Sequence, residues 1–210
     1  MITNDLVKRY DIKNLKAVQF FVRQVLNSNT KEFSVNKIYN AFQSVPIKIG
    51  NTALYDYLEY AQNIYLAFVL NRYVYSDRLR KQTSKKLYVI DSGLYNAVNT
   101  QALDDRAKLL ENAIFLQLYR NTKEVSFYKD EYSECDFIIC EQSKPKQAIQ
   151  VCYSLKSEDT RKREVRGLVR ACKALGLTEG TIVTYQTNEQ TTEEDGITIR
   201  TLPVAEYLLG

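Results

Sequence analysis

The side chains of this 210-residue chain that are equipped for chemistry are carboxylates, lysines, arginines and thiols, because histidine is absent. Without imidazole there is no Ser-His-Asp triad, no Cys-His dyad, no histidine metal ligand and no histidine acid/base step. Catalysis would have to run on acids, on lysine or on a carboxylate-held metal. Two acids stand out by position. Glu111 has Phe115 and Leu118 as its i+4 and i+7 neighbours, so it lies beside the apolar stripe of an amphipathic segment. Asp136 sits inside the strand-like run Glu134 to Glu141. Downstream, in Ile149-Gln150-Val151-Cys152-Tyr153, Gln150 offers an acceptor oxygen without charge and Cys152 offers no positive charge. No G-x-x-x-x-G-K-[ST] loop and no G-x-G-x-x-G motif occurs, so the residues give no support to nucleotide hydrolysis. Cys135, Cys140, Cys152 and Cys172 are irregularly spaced and fit neither a zinc ligand set nor a disulfide framework; they read as reduced, buried thiols.

The second chemical resource is positive charge. The formal net charge is +4, and it divides unevenly: positions 1–100 carry 14 basic and 7 acidic residues, positions 101–210 carry 15 and 18. Arg72, Arg78, Arg80, Lys81, Lys85 and Lys86 crowd one short stretch against the single acid Asp77. Arg161, Lys162, Arg163, Arg166, Arg170 and Lys173 line the outside of an amphipathic helix whose inner side is Val165, Leu168, Val169 and Cys172. Both clusters suit phosphate contact, and both equally suit an acidic protein. No uncharged apolar stretch approaches the ~18 residues of a membrane span, and the first residues lack the apolar core of a signal peptide, so no membrane contact and a cytoplasmic location are expected.

The elements that must position these groups follow from pattern and capping. In the first half, Asn14 caps a helix over Leu15–Asn27, and Ser34 caps a second that ends ahead of Pro46. Asn51 or Thr52 opens a third, with Leu54, Tyr57, Leu58 and Ala61 as its apolar stripe. A strand from Ile64 to Leu70 continuing through Arg72–Tyr75, a basic loop, and a returning strand Lys86–Ile90 close at the turn Asp91-Ser92-Gly93. Three helices and a hairpin are the order of a winged helix, with residues 72–86 as the wing. The third helix, however, carries Asp56 and Glu59 and no basic residue, which favours a protein-facing role over sequence reading in DNA.

In the second half the pattern predicts a helix from Asp104 or Asp105 to Asn121, and strands at Glu124–Lys129, Glu134–Glu141 and Gln147–Leu155. The last two are joined by a turn over 142–146. A helix opened by Thr160 and stopped at Gly176 follows, then strands Thr181–Tyr185 and Gly196–Thr201, and a short helix after Pro203. Helix, three strands, helix, strand is the core order of the PD-(D/E)XK nuclease-like fold. There a helix carboxylate, an aspartate on the second strand and a (D/E)-x-K triplet on the third converge on a divalent metal. Glu111 and Asp136 stand in the first two positions. Gln150 and Cys152 stand where the acid and the lysine belong, so the site is read as degenerate, with Glu111 and Asp136 the only metal candidates.

The runs Lys86-Leu87-Tyr88-Val89-Ile90-Asp91-Ser92-Gly93-Leu94, Leu109-Leu110-Glu111-Asn112, Glu134-Cys135-Asp136-Phe137-Ile138-Ile139 and Ile149-Gln150-Val151-Cys152-Tyr153-Ser154-Leu155 together resemble a known family. It is the C-terminal domain of unknown function attached to AAA+ ATPases of the archaeal type. Arg163-Glu164, Thr184-Tyr185, Pro203 and Leu208-Leu209 continue the resemblance, and Asn4 to Tyr10 resembles the junction that follows the P-loop domain. It implies an α/β (α+β) chain with a winged-helix-like domain at 1–97 and a nuclease-like domain at 98–210. It implies also that the preceding ATPase domain, with its ATP and Mg²⁺, is the first partner, that this chain carries no cofactor of its own, and that it is the C-terminal portion of a longer protein. Many members of that family carry an acid and a lysine where this chain has Gln150 and Cys152. The expected function is a noncatalytic accessory module binding nucleic acid or a protein partner. The alternatives are a metal-dependent nuclease using Glu111 and Asp136, and a free-standing winged-helix regulator.

Overall fold

The structure is a computed structural model and describes residues 2–76, 83–99, 105–122, 124–185 and 189–209. The chain divides into two compact units, Met1–Val69 with Ser84–Asp104, and Leu70–Thr83 with Asp105–Gly210. Both mix helix and sheet.

The first unit comprises α1 (Ile2–Arg9), α2 (Leu15–Asn27), β1 (Glu32–Phe33), α3 (Val35–Gln43), α4 (Asn51–Asn63), β2 (Ala67–Asn71, which passes into the second unit at Leu70), β3 (Lys85–Val89) and α5 (Ser92–Val98). Asn14 caps α2 through its side-chain oxygen, which accepts from the Ala17 N–H at 3.0 Å, and Ser34 caps α3 at 3.2 Å from the Lys37 N–H. The start of α4 differs from expectation: Gly50 is its N-cap and provides no side chain, so Asn51 and Thr52 lie inside the helix. The three strands form a sheet in the order β1-β3-β2, with Glu32 opposite Lys86. At two residues, β1 is too short to show a period and falls in a stretch that reads as a polar turn. Asp91-Ser92-Gly93 is a helix start rather than a turn, since the Asp91 carboxylate accepts from the Gly93 N–H at 2.6 Å and opens α5. Phe21, Phe42, Leu54 and Leu87 are fully buried, and the Phe21 and Tyr57 rings meet edge-on at 5.6 Å.

The second unit comprises α6 (Arg106–Asn121), β4 (Val125–Lys129), β5 (Glu134–Glu141), β6 (Lys144–Cys152), α7 (Glu158–Leu175), β7 (Glu179–Thr184), β8 (Gln190–Glu194), β9 (Ile197–Pro203) and α8 (Val204–Leu209). Its sheet runs β4-β5-β6-β7-β9-β8. β4, β5 and β6 are an antiparallel meander, β6, β7 and β9 are parallel, and β8 returns antiparallel along β9. Alternation along the strands sorts the side chains onto two faces. Phe137 and its cross-strand partner Ile149 face α6, where Phe115 lies 6.3 Å from Phe137. Ala148, Cys152 and Ile182 pack instead with Leu168 and Cys172 of α7.

Several boundaries move for local reasons. The β5–β6 turn is only Gln142-Ser143, both at positive φ (52° and 64°) as a two-residue hairpin turn demands, so Lys144-Pro145-Lys146 belongs to β6. Pro145 is accommodated opposite Cys140, at a register shift and before β7 joins at Ile149. Ser157, not Thr160, precedes the first turn of α7, while Gly176 ends it in the left-handed conformation at φ 71°. β8 is exposed at every position and so has no apolar alternation to reveal it. The strand expected through Arg72–Tyr75 stops at Asn71: the Tyr73 N–H donates to the Phe127 carbonyl at 2.7 Å, which ties this segment to β4.

α7 approaches β5 closely at Gly167, where an added Cβ would lie 2.6 Å from the Glu134 carbonyl oxygen. A backbone atom cannot yield as a side chain does. Gly167→Ala is expected to lower stability by about 1–3 kcal/mol through overpacking, read from the urea midpoint; an unchanged midpoint would contradict this packing.

Candidate functional site

At the amino-terminal half of α7 the sheet presents a polar cluster to the helix. Asp136 on β5, Gln150 on β6 and Glu164 on α7 are all buried, at 6, 7 and 8 % exposure. The Gln150 carboxamide joins them: its nitrogen donates to Glu164 Oε2 at 2.6 Å, and its oxygen accepts from the Asp136 N–H at 3.3 Å. Asp136 Oδ2 in turn accepts from the Val151 N–H at 3.0 Å. The other oxygen of Glu164 is taken by the Arg163 guanidinium at 2.5 Å. Arg163, Glu164, Asp136 and Gln150 line a cavity of about 430 Å³ together with the β4–β5 loop.

Cys152 lies one pleat further along the same face. Burial pushes its thiol up, and the nearby Glu164 pushes it the same way. It is therefore a protonated thiol, which donates to the Ser154 carbonyl at 3.2 Å. A neutral thiol cannot replace an ammonium in positioning water or a phosphate. Cys172, deeper in the α7 interface, is pushed to about 11 by burial. Among the described residues, no group of three or more Cys, Asp and Glu side chains is disposed to hold a metal ion.

The residues singled out in the sequence are thus only partly brought together. Asp136 and Gln150 meet in one network, with Cys152 beside them. Glu111 is half-buried on α6 and does not line this cavity. Glu164 completes the network, and the sequence carried a signal for it: at i−4 from Leu168 and i−8 from Cys172 it falls on the inner stripe of α7, where a carboxylate requires partners.

The outer face of α7 is more neutralised than its sequence suggests. Arg161 and Lys162 pair with Glu158, Arg163 with Glu164, Arg170 with Asp130, and Lys173 with Asp195. Arg166 is exposed, and it lines both the polar cavity and a second groove of about 600 Å³ between α7 and β8. The pairs with Glu158 and Asp195 are exposed on both sides and each worth ~0–1 kcal/mol, so a polyanion can exchange for them, whereas those with Glu164 and Asp130 are held within the structure. Of the wing residues, Arg78, Arg80 and Lys81 lie outside the described residues. Arg72 lies with the second unit, beside β4. Lys85 is half-buried, and Lys86 is a correction: on the central strand of its sheet it is 4 % exposed and engaged within the protein, so it is no phosphate contact. The outer face of α4 presents Tyr55, Asp56 and Glu59, with no basic residue in the helix.

Asp130 fixes the loop that rims the cavity. Burial alone would raise its carboxyl, but the Tyr132 and Ser133 N–H groups, the Arg170 guanidinium and the Ser133 hydroxyl outweigh it and hold the group at about 2, against an ordinary 3.8. A depressed carboxyl stabilises the fold above its unfolded value and loses that contribution as pH falls toward its folded one. The urea midpoint is therefore expected to drop between about pH 4 and pH 2, and Asp130→Asn to flatten that drop. An equal acid dependence in both proteins would contradict the assignment.

Two family models match the chain: a domain of unknown function (DUF8612) over residues 1–106 and a domain of unknown function (DUF4143) over residues 106–207. The second is known as a C-terminal domain of AAA-type ATPases. Among curated proteins, an uncharacterized protein of Methanocaldococcus jannaschii is 33 % identical over 177 residues, covering 82 % of this chain and 38 % of that protein. An uncharacterized protein of Haemophilus influenzae is 23 % identical over 138 residues, covering 66 % of this chain and 34 % of its own length. The chain therefore spans little more than a third of the length of the relatives it matches. No solved structure matches. With its first half matched throughout by one model and its second by the other, the chain belongs to the DUF8612 family and carries a DUF4143 domain.

Proposed function

We propose that this chain is a noncatalytic accessory module of an AAA-type ATPase, which meets a polyanionic partner, nucleic acid or an acidic protein, through the outer face of α7. The association of the DUF4143 domain with the C-terminal regions of AAA-type ATPases supports the first part, as does the greater length of the relatives. ATP and Mg²⁺ then belong to the ATPase domain.

The element order α2-β1-α3-α4-β2-β3 with the sheet order β1-β3-β2 supports a winged-helix-like reading of the first unit, with α4 in the recognition position. Its acidic outer face favours a protein rather than a DNA groove as its counterpart. The meander β4-β5-β6, followed by α7 and the parallel strand β7, supports a nuclease-like reading of the second unit.

The observation that carries the noncatalytic reading is the Gln150 carboxamide held between the Asp136 backbone and Glu164. A hard divalent cation needs several anionic oxygens free to converge on it. Here both Glu164 oxygens and Asp136 Oδ2 already accept hydrogen bonds, and Arg163 brings a positive charge to the same point. The residues do not fit Mg²⁺. A combined assay tests the proposal. The chain is expected to leave plasmid and single-stranded DNA intact with Mg²⁺ or Mn²⁺, and to bind a polyanion with an affinity that falls as salt rises and that Arg166→Ala weakens several-fold. Cleavage that disappears in Asp136→Ala would overturn it.

A further inference from the structure

The opposite face of the second sheet holds a separate site. β6 and β7 are parallel neighbours, with Cys152 beside Thr184, so the residues that follow them emerge from the same end of the sheet. These are Tyr153 and Tyr185. The Tyr185 N–H donates to the Tyr153 carbonyl at 3.3 Å, and the two rings lie 4.9 Å apart and 14° from parallel. Arg106, in the first turn of α6, donates to the Tyr153 hydroxyl at 3.2 Å, and its guanidinium carbon sits 6.0 Å from the centre of that ring. Leu109 and Leu110 form the remaining wall of an open cavity of about 380 Å³. Tyr185 is 48 % exposed, although it follows a strand whose last three residues are buried.

We propose that this site binds a nucleobase carrying a phosphate, stacked on Tyr185 as the next ring of the tyrosine pair, with its phosphate beside Arg106. Three features point that way. The pair stands at the carboxyl ends of two parallel strands, the end of an α/β sheet outside which ligands bind. Exposed aromatic faces that continue a stack, paired with an arginine, are how single-stranded nucleic acid is held without reading its sequence. A purely structural tyrosine pair would gain by covering its second member, and here Tyr185 remains half exposed in a cavity that Arg106 also lines. A duplex is excluded as the ligand because its bases are already stacked and paired. The shared chemistry comes from either a free nucleotide or a single strand. The site rests on residues of α6, β6 and β7 and uses none of the α7 cations, so it stands apart from the proposed polyanion face.

The test is fluorescence anisotropy of the whole chain with fluorescein-labelled (dT)12 and (dA)12, and with a labelled 12-base-pair duplex and AMP as competitors. Each stacked base is worth ~1–3 kcal/mol, so Tyr185→Ala is expected to weaken single-strand binding at least about five-fold, while Tyr185→Phe retains it and duplex binding is unmoved. Displacement by AMP assigns the site to a free nucleotide and resistance assigns it to a strand, and both uphold the nucleobase. Tyr185→Ala binding as the wild type does, or no single-strand binding in low salt, overturns the site. The α7 proposal fails differently: Arg166→Ala would then leave the salt dependence for duplex and single strand unchanged.

Discussion

The carboxamide of Gln150 ties β6 to the backbone of β5 on one side and to α7 on the other, and the arrangement of the second unit's polar interior follows from it. Glutamine is neutral, yet it has one donor group and one acceptor, and this position uses both. Glu164 is thereby able to remain in an interface otherwise built from Ile138, Ala148, Leu168 and Cys172. Without the amide, one of its oxygens would be buried with no donor; with a second carboxylate at 150, two like charges would face each other across 2.6 Å. Arg163 completes the neutralisation from the solvent side.

That constraint separates shape from chemistry. The groups that β5, β6 and α7 bring together are an amide, a neutral thiol and two carboxylates whose oxygens already accept hydrogen bonds. They hold the sheet to the helix from the polar side of their interface. Around it, the β4–β5 loop is pinned by Asp130, and Arg170 both pairs with Asp130 and lies 5.0 Å over the Tyr132 ring. The surfaces left open to other molecules lie on either side of this centre: Arg166 and its neighbours on the α7 face, and the Tyr153–Tyr185 pair on the α6 face.

Much of the architecture was legible in the sequence where periodicity and capping coincide. α2 runs over Leu15–Asn27 and β5 over Glu134–Glu141, as their patterns indicate, and Gly176 ends α7. What escaped reading lacked a local signal. β1 is two residues long, and β8 is polar on both faces because it lies at the sheet margin. The Gln142-Ser143 turn was obscured by Pro145, which is tolerated only because β7 has not yet joined the sheet beside it. The site was half legible for a similar reason. Asp136 and Gln150 announce themselves by strand position, whereas Glu164 and Tyr185 acquire their meaning from partners 14 and 32 residues away in the chain. The basic clusters read as cationic surface, but Glu158, Asp130 and Asp195 pair with much of the charge on α7, and Lys86 is interior.

The central claim is that the polar centre of the second unit is structural and held by the Gln150–Glu164 contact. A double-mutant cycle with Gln150→Leu, Glu164→Leu and the pair, followed by urea unfolding, measures it directly. A hydrogen bond to a charged group in a buried setting predicts a coupling of about 1.5–3 kcal/mol, with the double variant less destabilised than the sum of the singles. Additive losses, with a coupling near zero, would contradict the account.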